Sequence, residues 1–290
     1  MNCLTLDAPE YPPLLSKSKY AVPQLWINGA VNFGDEFCLA MVGTRSPSGL
    51  AANTVKSLVK TLKGLKVRIV SGLAQGIDSL CHEAALENDL PTTAVIAQGL
   101  DMPLPGAQKI LAENILEHGG NIISPFAPGS QAYQGYFVKR NTIISGMSSA
   151  TVVVESRIKG GAMHTANFCS REAKPLFAVP GSPMTPTTAG CNHLIYQKQA
   201  QIIWSIDELP TILGLNSLFP DFNSQLFTLH SQLPTLNSQL PNWAAKGTIL
   251  EITDICEQSQ KPVNEVLAML TEMEMQGKCK VNGHSAIFLN

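Results

Sequence analysis

Between about residue 36 and residue 213, short apolar runs alternate with helical patterns, and no other feature of the sequence restricts the fold as strongly. The runs cover 37–42, 67–70, 92–97, 121–123, 151–154, 176–179 and 202–204. Most are continuous rather than alternating in polarity, as expected of strands covered on both faces. Helical patterns lie between them at 51–62, 78–87, 107–118, 140–147, 162–173 and 193–199. This rhythm predicts an α/β fold with a doubly wound, mostly parallel sheet. Such sheets bind ligands outside the carboxyl ends of their strands. The loops 43–50, 71–78, 98–106, 124–139, 155–165 and 180–192 are therefore the ones to search.

One of these loops has the form of an anion-binding device. Val67-Arg68-Ile69-Val70 leads into Ser71-Gly72-Leu73-Ala74-Gln75-Gly76-Ile77-Asp78, and a helical pattern leads out. Glycines allow close approach to a backbone, and the free N–H groups of a helix start attract anions. The alternative is that Gly72 and Gly76 only make a tight turn. A similar turn, Gly43-Thr44-Arg45, follows the run 37–42. Arg45 can hold a phosphate bidentately or make an ordinary salt bridge. Lys139-Arg140-Asn141 opens the pattern at 140–147. Adjacent cations at a helix start oppose the dipole, which is easier to understand with an anion beside them. Tyr133, Tyr136 and Phe137 lie just upstream, suited either to stacking on unpaired bases or to packing the loop. Gly160-Gly161 and Thr165-Ala166 mark a further helix start.

Other chemistry is poorly represented. The formal net charge of -2 excludes a globally basic nucleic-acid binder but not a local basic patch. The seven cysteines are scattered without a C-x-x-C pair, as in reduced, mostly buried thiols of a cytoplasmic protein, and no zinc-ligand spacing occurs. No metal or cofactor is expected, and no membrane span. His82 reads as a helix-surface or capping residue, Asp78 as a helix cap, and Glu155 as a residue that orients a loop. A nicotinamide cofactor is disfavoured, because no G-x-G-x-x-G opens the first helix and the second strand ends in Ser71-Gly72 rather than an acidic residue.

The flanks differ from this core. Residues 1–35 are a Pro-rich lead-in, expected as extended chain packed on the core. Residues 214–243 are nearly uncharged and rich in Ser, Asn, Gln and Pro, as in a linker. Residues 244–290 predict a small domain with helices over 249–256 and 263–275, then a hairpin turning at Asn282-Gly283. Helices followed by a hairpin suggest a winged-helix-like unit. Its acidic residues outnumber its lysines, which favours protein contacts over duplex DNA.

Several strings, in order, resemble the DNA-processing protein A family (DprA, also called Smf). They are Val42-Gly43-Thr44-Arg45 with Pro47-Ser48, the whole of Ser71 to Asp78, and Gly99-Leu100-Asp101 with Pro103. Phe137 with Arg140-Asn141 and Ile143-Ile144 follows, then Ala178-Val179-Pro180-Gly181-Ser182 and Gly190-Cys191-Asn192. The resemblance implies an extended Rossmann-like domain that binds single-stranded DNA without sequence preference. It also implies protection of single strands during DNA uptake (natural transformation) or recombination, loading of a RecA-type recombinase, homodimerisation, and no enzymatic activity. The residues expected at the DNA are Gly43, Thr44, Arg45, Ser71, Gly72, Gly76, Lys139, Arg140, Asn141, Lys159 and Thr165. Thr142 stands where the family has a second Arg, Pro125 replaces a Glu, and 159–166 departs from S-G-S-L-x-T-A, as in a divergent member. Two other functions compete on the same fold: a nucleotide-binding sensor, and a nucleoside-monophosphate phosphoribohydrolase-like enzyme. The second needs P-G-G-x-G-T-x-x-E, of which Pro180-Gly181-Ser182-Pro183-Met184 lacks the second Gly and the Glu.

Overall fold

The structure, a computed structural model, describes residues 1–34, 36–215, 249–259, 266, 270, 279–282 and 285–288. Two compact units, Met1–Asn223 and Ser224–Asn290, divide the chain.

The first unit is built on a nine-stranded sheet. Its parallel part begins with β3 (Phe37–Val42), β4 (Val67–Ser71), β5 (Thr92–Val95) and β6 (Asn121–Ser124), laid side by side in that order. The chain then returns to the other side of β3 and adds β7 (Ala150–Val153), β8 (Leu176–Ala178) and β9 (Gln201–Ile202). This is the doubly wound sheet that the apolar runs predict and the Rossmann-like fold that the resemblance implies, with its direction reversing between β3 and β7. Both faces of the strands are covered. Ala40 and Val42 of β3 belong to a core with Ile143, Ile144, Ala166 and Leu194. Leu39 and Met41 belong to a second core with Val55, Leu58, Ile77 and Cys81. Helices α2 (Gly49–Lys60) and α3 (Ile77–Glu87) thus lie on one face. Helices α5 (Gln134–Gly146), α6 (Ala162–Arg171) and α7 (Ala189–Tyr196) lie on the other. Helix α4 (Gly106–Glu117) packs on Ala94 and Ile122. A short α8 (Leu209–Ile212) follows β9.

The lead-in contributes to the sheet itself. Strands β1 (Asn2–Thr5) and β2 (Gln24–Gly29) pair with each other, and β2 pairs antiparallel with β6. Residues 1–35 therefore do more than pack on a surface. Leu25 and Ile27 are fully buried, and Leu15 of α1 (Pro13–Ser16) reaches the α5 side of the core. Tyr11 closes the loop between them: its hydroxyl donates to the Val22 carbonyl at 3.0 Å and accepts from the Val22 N–H at 3.2 Å.

In the second unit, β10 (Ile249–Glu251), β11 (Cys279–Asn282) and β12 (Ser285–Phe288) form an antiparallel sheet of order β10-β12-β11. The pairing of β11 with β12 agrees with the expected hairpin, whose turn lies outside the described residues. The helix expected over 249–256 is divided. Residues 249–251 pair with β12, and only α9 (Ile252–Ser259) is helical. Ile252 and Ile255 of α9 pack with Val266, Leu270, Cys279 and Ala286. Most of the helix expected over 263–275, and the linker from residue 216 on, fall outside the described residues.

His82 departs from its surface assignment: it is fully buried on α3. Its Nδ1 lies 2.7 Å from Thr92 Oγ1, which donates its own proton to the Ile69 carbonyl at 3.0 Å. Thr92 must then accept, so the His82 proton sits on Nδ1, and Nε2 has no partner. Burial, reinforced by the Arg140 charge, holds the His82 pKa down from 6.5 to about 3. The folded chain keeps this ring neutral, while the unfolded chain takes up a proton below its ordinary pKa. Stability from this source is present above pH 6.5 and is lost as pH falls towards 3. We expect His82 to account for a loss of about 2 kcal/mol between pH 7 and pH 5. Urea unfolding of the wild type and His82→Gln at both pH values reads this as a difference in slope; equal slopes would contradict it.

Candidate nucleic-acid interface

The reversal between β3 and β7 separates two strand-end loops, and their first residues remain paired. Val154 N–H bonds the Val42 carbonyl at 3.0 Å, and Thr44 N–H bonds the Glu155 carbonyl at 2.7 Å. Glu155 Oε2 accepts from the Ser48 N–H at 2.9 Å and the Ser48 hydroxyl at 3.1 Å. Ser48 Oγ in turn caps α2 by accepting from Ala51 N–H at 3.1 Å. Glu155 thus orients the loop, as expected, and fixes one loop against the other.

Beyond this join the loops border an open cleft of about 660 Å³. Gly43, Thr44 and Arg45 line it from the β3 loop, and Ser156, Arg157, Gly160 and Gly161 from the β7 loop. Tyr133, Phe137, Arg140 and Asn141 line it from α5 and its start, and Thr165 from α6. A second cleft of about 320 Å³ lies over the ends of β4 and β5 and includes Gly72, Gln98 and Gln108. The two clefts share Arg45, Ala74, Ala132, Phe137 and Arg140. The Arg45 guanidinium lies over the Phe137 ring, 5.2 Å from its centroid, and Arg45 is exposed.

The turn between β4 and α3 differs from the expected anion site, because protein groups already fill it. Ser71 is fully buried and donates to the Met41 carbonyl at 2.6 Å. A side chain at Gly72 would run into the Arg140 guanidinium and come within 2.6 Å of Asp78 Oδ2. One at Gly43 would strike the Ile77 side chain, and one at Gly76, where φ is 95°, would strike the Thr44–Arg45 backbone. These glycines admit the protein's own atoms rather than a ligand. The helix-start amides are engaged as well: Ile77 N–H bonds the Thr44 carbonyl and Ser79 N–H the Ala74 carbonyl, both at 3.1 Å. The Asp78 carboxylate reaches the same turn from the start of α3, its Oδ2 filling the space beside Gly72. Burial raises the Asp78 pKa, against the opposing pull of Arg140.

Arg140 is likewise internal. Helix α5 starts at Gln134, six residues before the expected start, so Lys139 and Arg140 lie beyond its first turn. The dipole argument for an anion there falls away. Arg140 is only 4 % exposed. Its Nη1 donates to the Gly72 carbonyl and, at 2.8 Å, to the Val95 carbonyl. Among the aromatics, Tyr136 stacks on Phe126 with centroids 3.8 Å apart and is committed to packing, whereas Tyr133 stays exposed.

Of the expected residues, Gly43, Thr44, Arg45, Arg140, Asn141 and Thr165 meet at the larger cleft, while Gly72 lines the smaller one. Ser71 and Gly76 line neither. Lys139 and Lys159 are exposed, each next in sequence to a residue that is part of the lining or its loop. Sequence motifs did not single out Arg157, which is exposed and lines the larger cleft. Its only signal was its place in the loop 155–165. Among the described residues, Asp78 is the only carboxylate that lines either cleft. Among the described residues, no group of three or more His, Cys, Asp or Glu side chains is placed to hold a metal ion, and no helix is long and apolar enough to cross a membrane.

The family model for DNA recombination-mediator protein A matches residues 2–214. Protein Smf of Escherichia coli is 32% identical over 278 residues, covering 95% of this chain and 74% of that protein. DNA processing protein DprA of Streptococcus pneumoniae is 36% identical over 198 residues, covering 67% of this chain and 68% of its own. The X-ray structure of DprA from S. pneumoniae superposes with a TM-score of 0.67 at 32% identity, covering 73% of each chain. DNA processing protein A from Helicobacter pylori, solved for its unique single-stranded DNA binding mode, superposes with a TM-score of 0.66 at 26% identity. That match covers 74% of this chain and 97% of the other.

The glycine contacts lead to a direct test. Gly72→Ala must displace the bonded Arg140 guanidinium and is expected to destabilise by about 1–3 kcal/mol. Gly161→Ala, where an added Cβ meets nothing within 4 Å, should leave stability within about 0.5 kcal/mol of wild type. Chemical denaturation of both variants measures the difference; a Gly72→Ala protein as stable as wild type would contradict the packing account.

Proposed function

The chain belongs to the DNA recombination-mediator protein A family, and from that premise we propose that its joined clefts hold single-stranded DNA without sequence preference. The observation that carries this reading is the position of Arg45. It is exposed, lies over Phe137, and borders both clefts. An open groove continuing on both sides of a cation suits a polymer with regularly spaced phosphates better than one small ligand. Arg45 and Arg157 take phosphates, with Lys139 and Lys159 adding charge nearby. Asn141 and Thr165 supply polar contacts, and Phe137 and Tyr133 present ring faces to bases. Thr44 contributes through its side of the cleft, since its N–H is taken by Glu155.

A recombination mediator delivers its strand to a recombinase, and the partner we propose is of the RecA type, in the cytoplasm, during DNA uptake or recombination. We infer no enzymatic role. Among the described residues, the one carboxylate lining the clefts is buried beside Gly72, and no Gly-Gly or Glu follows Pro180 as the phosphoribohydrolase string requires. The second unit, with a three-stranded sheet beside α9, fits the winged-helix-like reading, and we assign it to protein contacts or regulation. Homodimerisation has a candidate surface around β9, one of the two edge strands of the described sheet. Tyr196, Ile202, Trp204 and Ile206 are all exposed there, and Tyr196 is 81 % accessible.

Each phosphate contact should appear in the salt dependence. Arg45→Ala and Arg157→Ala are expected to weaken binding of a labelled single-stranded oligonucleotide about tenfold at low salt and to lower the salt slope by about 0.7 each. Binding indifferent to both substitutions would sink the site. Trp204→Glu should shift the full chain from dimer to monomer in light scattering; an unchanged mass would move the dimer contact elsewhere.

A further inference from the structure

The turn between β4 and α3 has the parts of a phosphate site, yet its occupant belongs to the chain. A strand runs into a glycine, a helix starts a few residues on, and a guanidinium stands beside them. The Asp78 carboxylate enters this turn from the start of α3. Arg140 reaches the same place, bonding the Gly72 carbonyl, and the absent side chain of Gly72 leaves the gap in which the guanidinium and Asp78 Oδ2 both sit. Arg140 and Asp78 are 4 % and 8 % exposed, and Arg140 Nε has no partner. Both residues nonetheless line the larger cleft, so solvent-borne ligands reach this point.

We propose that Asp78 is a specificity-determining residue that stands in for a phosphate, closing this turn to the phosphate groups of free nucleotides. A phosphate approaching Arg140 meets the carboxylate, which already takes up the gap at Gly72. The clefts are thereby left to ligands that bind through exposed cations such as Arg45. This consequence for polymers over mononucleotides rests on the single-strand reading; the occupancy of the turn does not.

The test is thermal unfolding of the full chain in sodium phosphate against sodium chloride at matched ionic strength. Asp78→Ala should gain about 5 °C or more in midpoint across a phosphate series, because the anion refills the pocket beside Arg140. Wild type should show no such rise. Asp78→Ala/Arg140→Met, which removes both charges, guards against a variant that fails only because a buried cation is left alone; it should fold and ignore phosphate. Equal responses in wild type and Asp78→Ala overturn the proposal. So does an Asp78→Ala protein that phosphate neither stabilises nor restores to folding. In a second readout, adenosine 5′-monophosphate should compete with a single-stranded oligonucleotide on Asp78→Ala but not on wild type; competition on wild type would overturn the exclusion. If neither protein bound the oligonucleotide, the single-strand reading would fail, while the phosphate shift would still decide the occupancy of the turn.

Discussion

A guanidinium buried at the carboxyl ends of two parallel strands sets the terms for everything around it. Strand-end carbonyls lack ladder partners, and Arg140 satisfies those of Gly72 and Val95 from a helix on the opposite face. A cation so enclosed requires nearby negative charge, because desolvation alone would expel it. Asp78 supplies that charge from across Gly72, and the position cannot carry a side chain. The same field reaches His82, adding to the burial that keeps its ring neutral. Since Arg140 lines both clefts, the group that closes the strand ends also forms part of the surface offered to a ligand.

The electrostatics of the chain are local. Its formal charge is -2, yet among the described residues the larger cleft is lined by Arg45, Arg140 and Arg157 against one buried carboxylate. At cellular ionic strength, charges act over about 8 Å, so the average over the chain says little about the groove. Among these cations, the exposed Arg45 and Arg157 can exchange water for phosphate, whereas Arg140 is buried with its Nη1 on two carbonyls.

Strands buried on both faces leave unbroken apolar runs, and β3 to β8 lie within a few residues of where those runs place them. Strands β1 and β2 were not legible, because their pairing is set by a distant partner, β6, and not by local alternation. The early start of α5 was hidden by Gly135 and by aromatic residues that mimic a loop. Within the site, Arg45 was readable from its turn, while Arg157 carries no pattern of its own. Gly43, Gly72 and Gly76 show the deeper limit. Close approach by a ligand and close approach by another part of the same protein require the same missing side chain, so sequence alone cannot separate them.

The pairing of β2 with β6 bears on the order in which the chain can fold. Trp26 lies opposite Ser124 and Ile27 opposite Ile123, about a hundred residues further along. A ribosome releases the lead-in first, but its buried side chains, Leu25 and Ile27, have no surface to cover until β6 is in place. Such long-range closure is slow compared with forming the local strand–helix units. A segment made before its partner strand is thus among the last to dock, and until then Leu25 and Ile27 are open to proteases and chaperones.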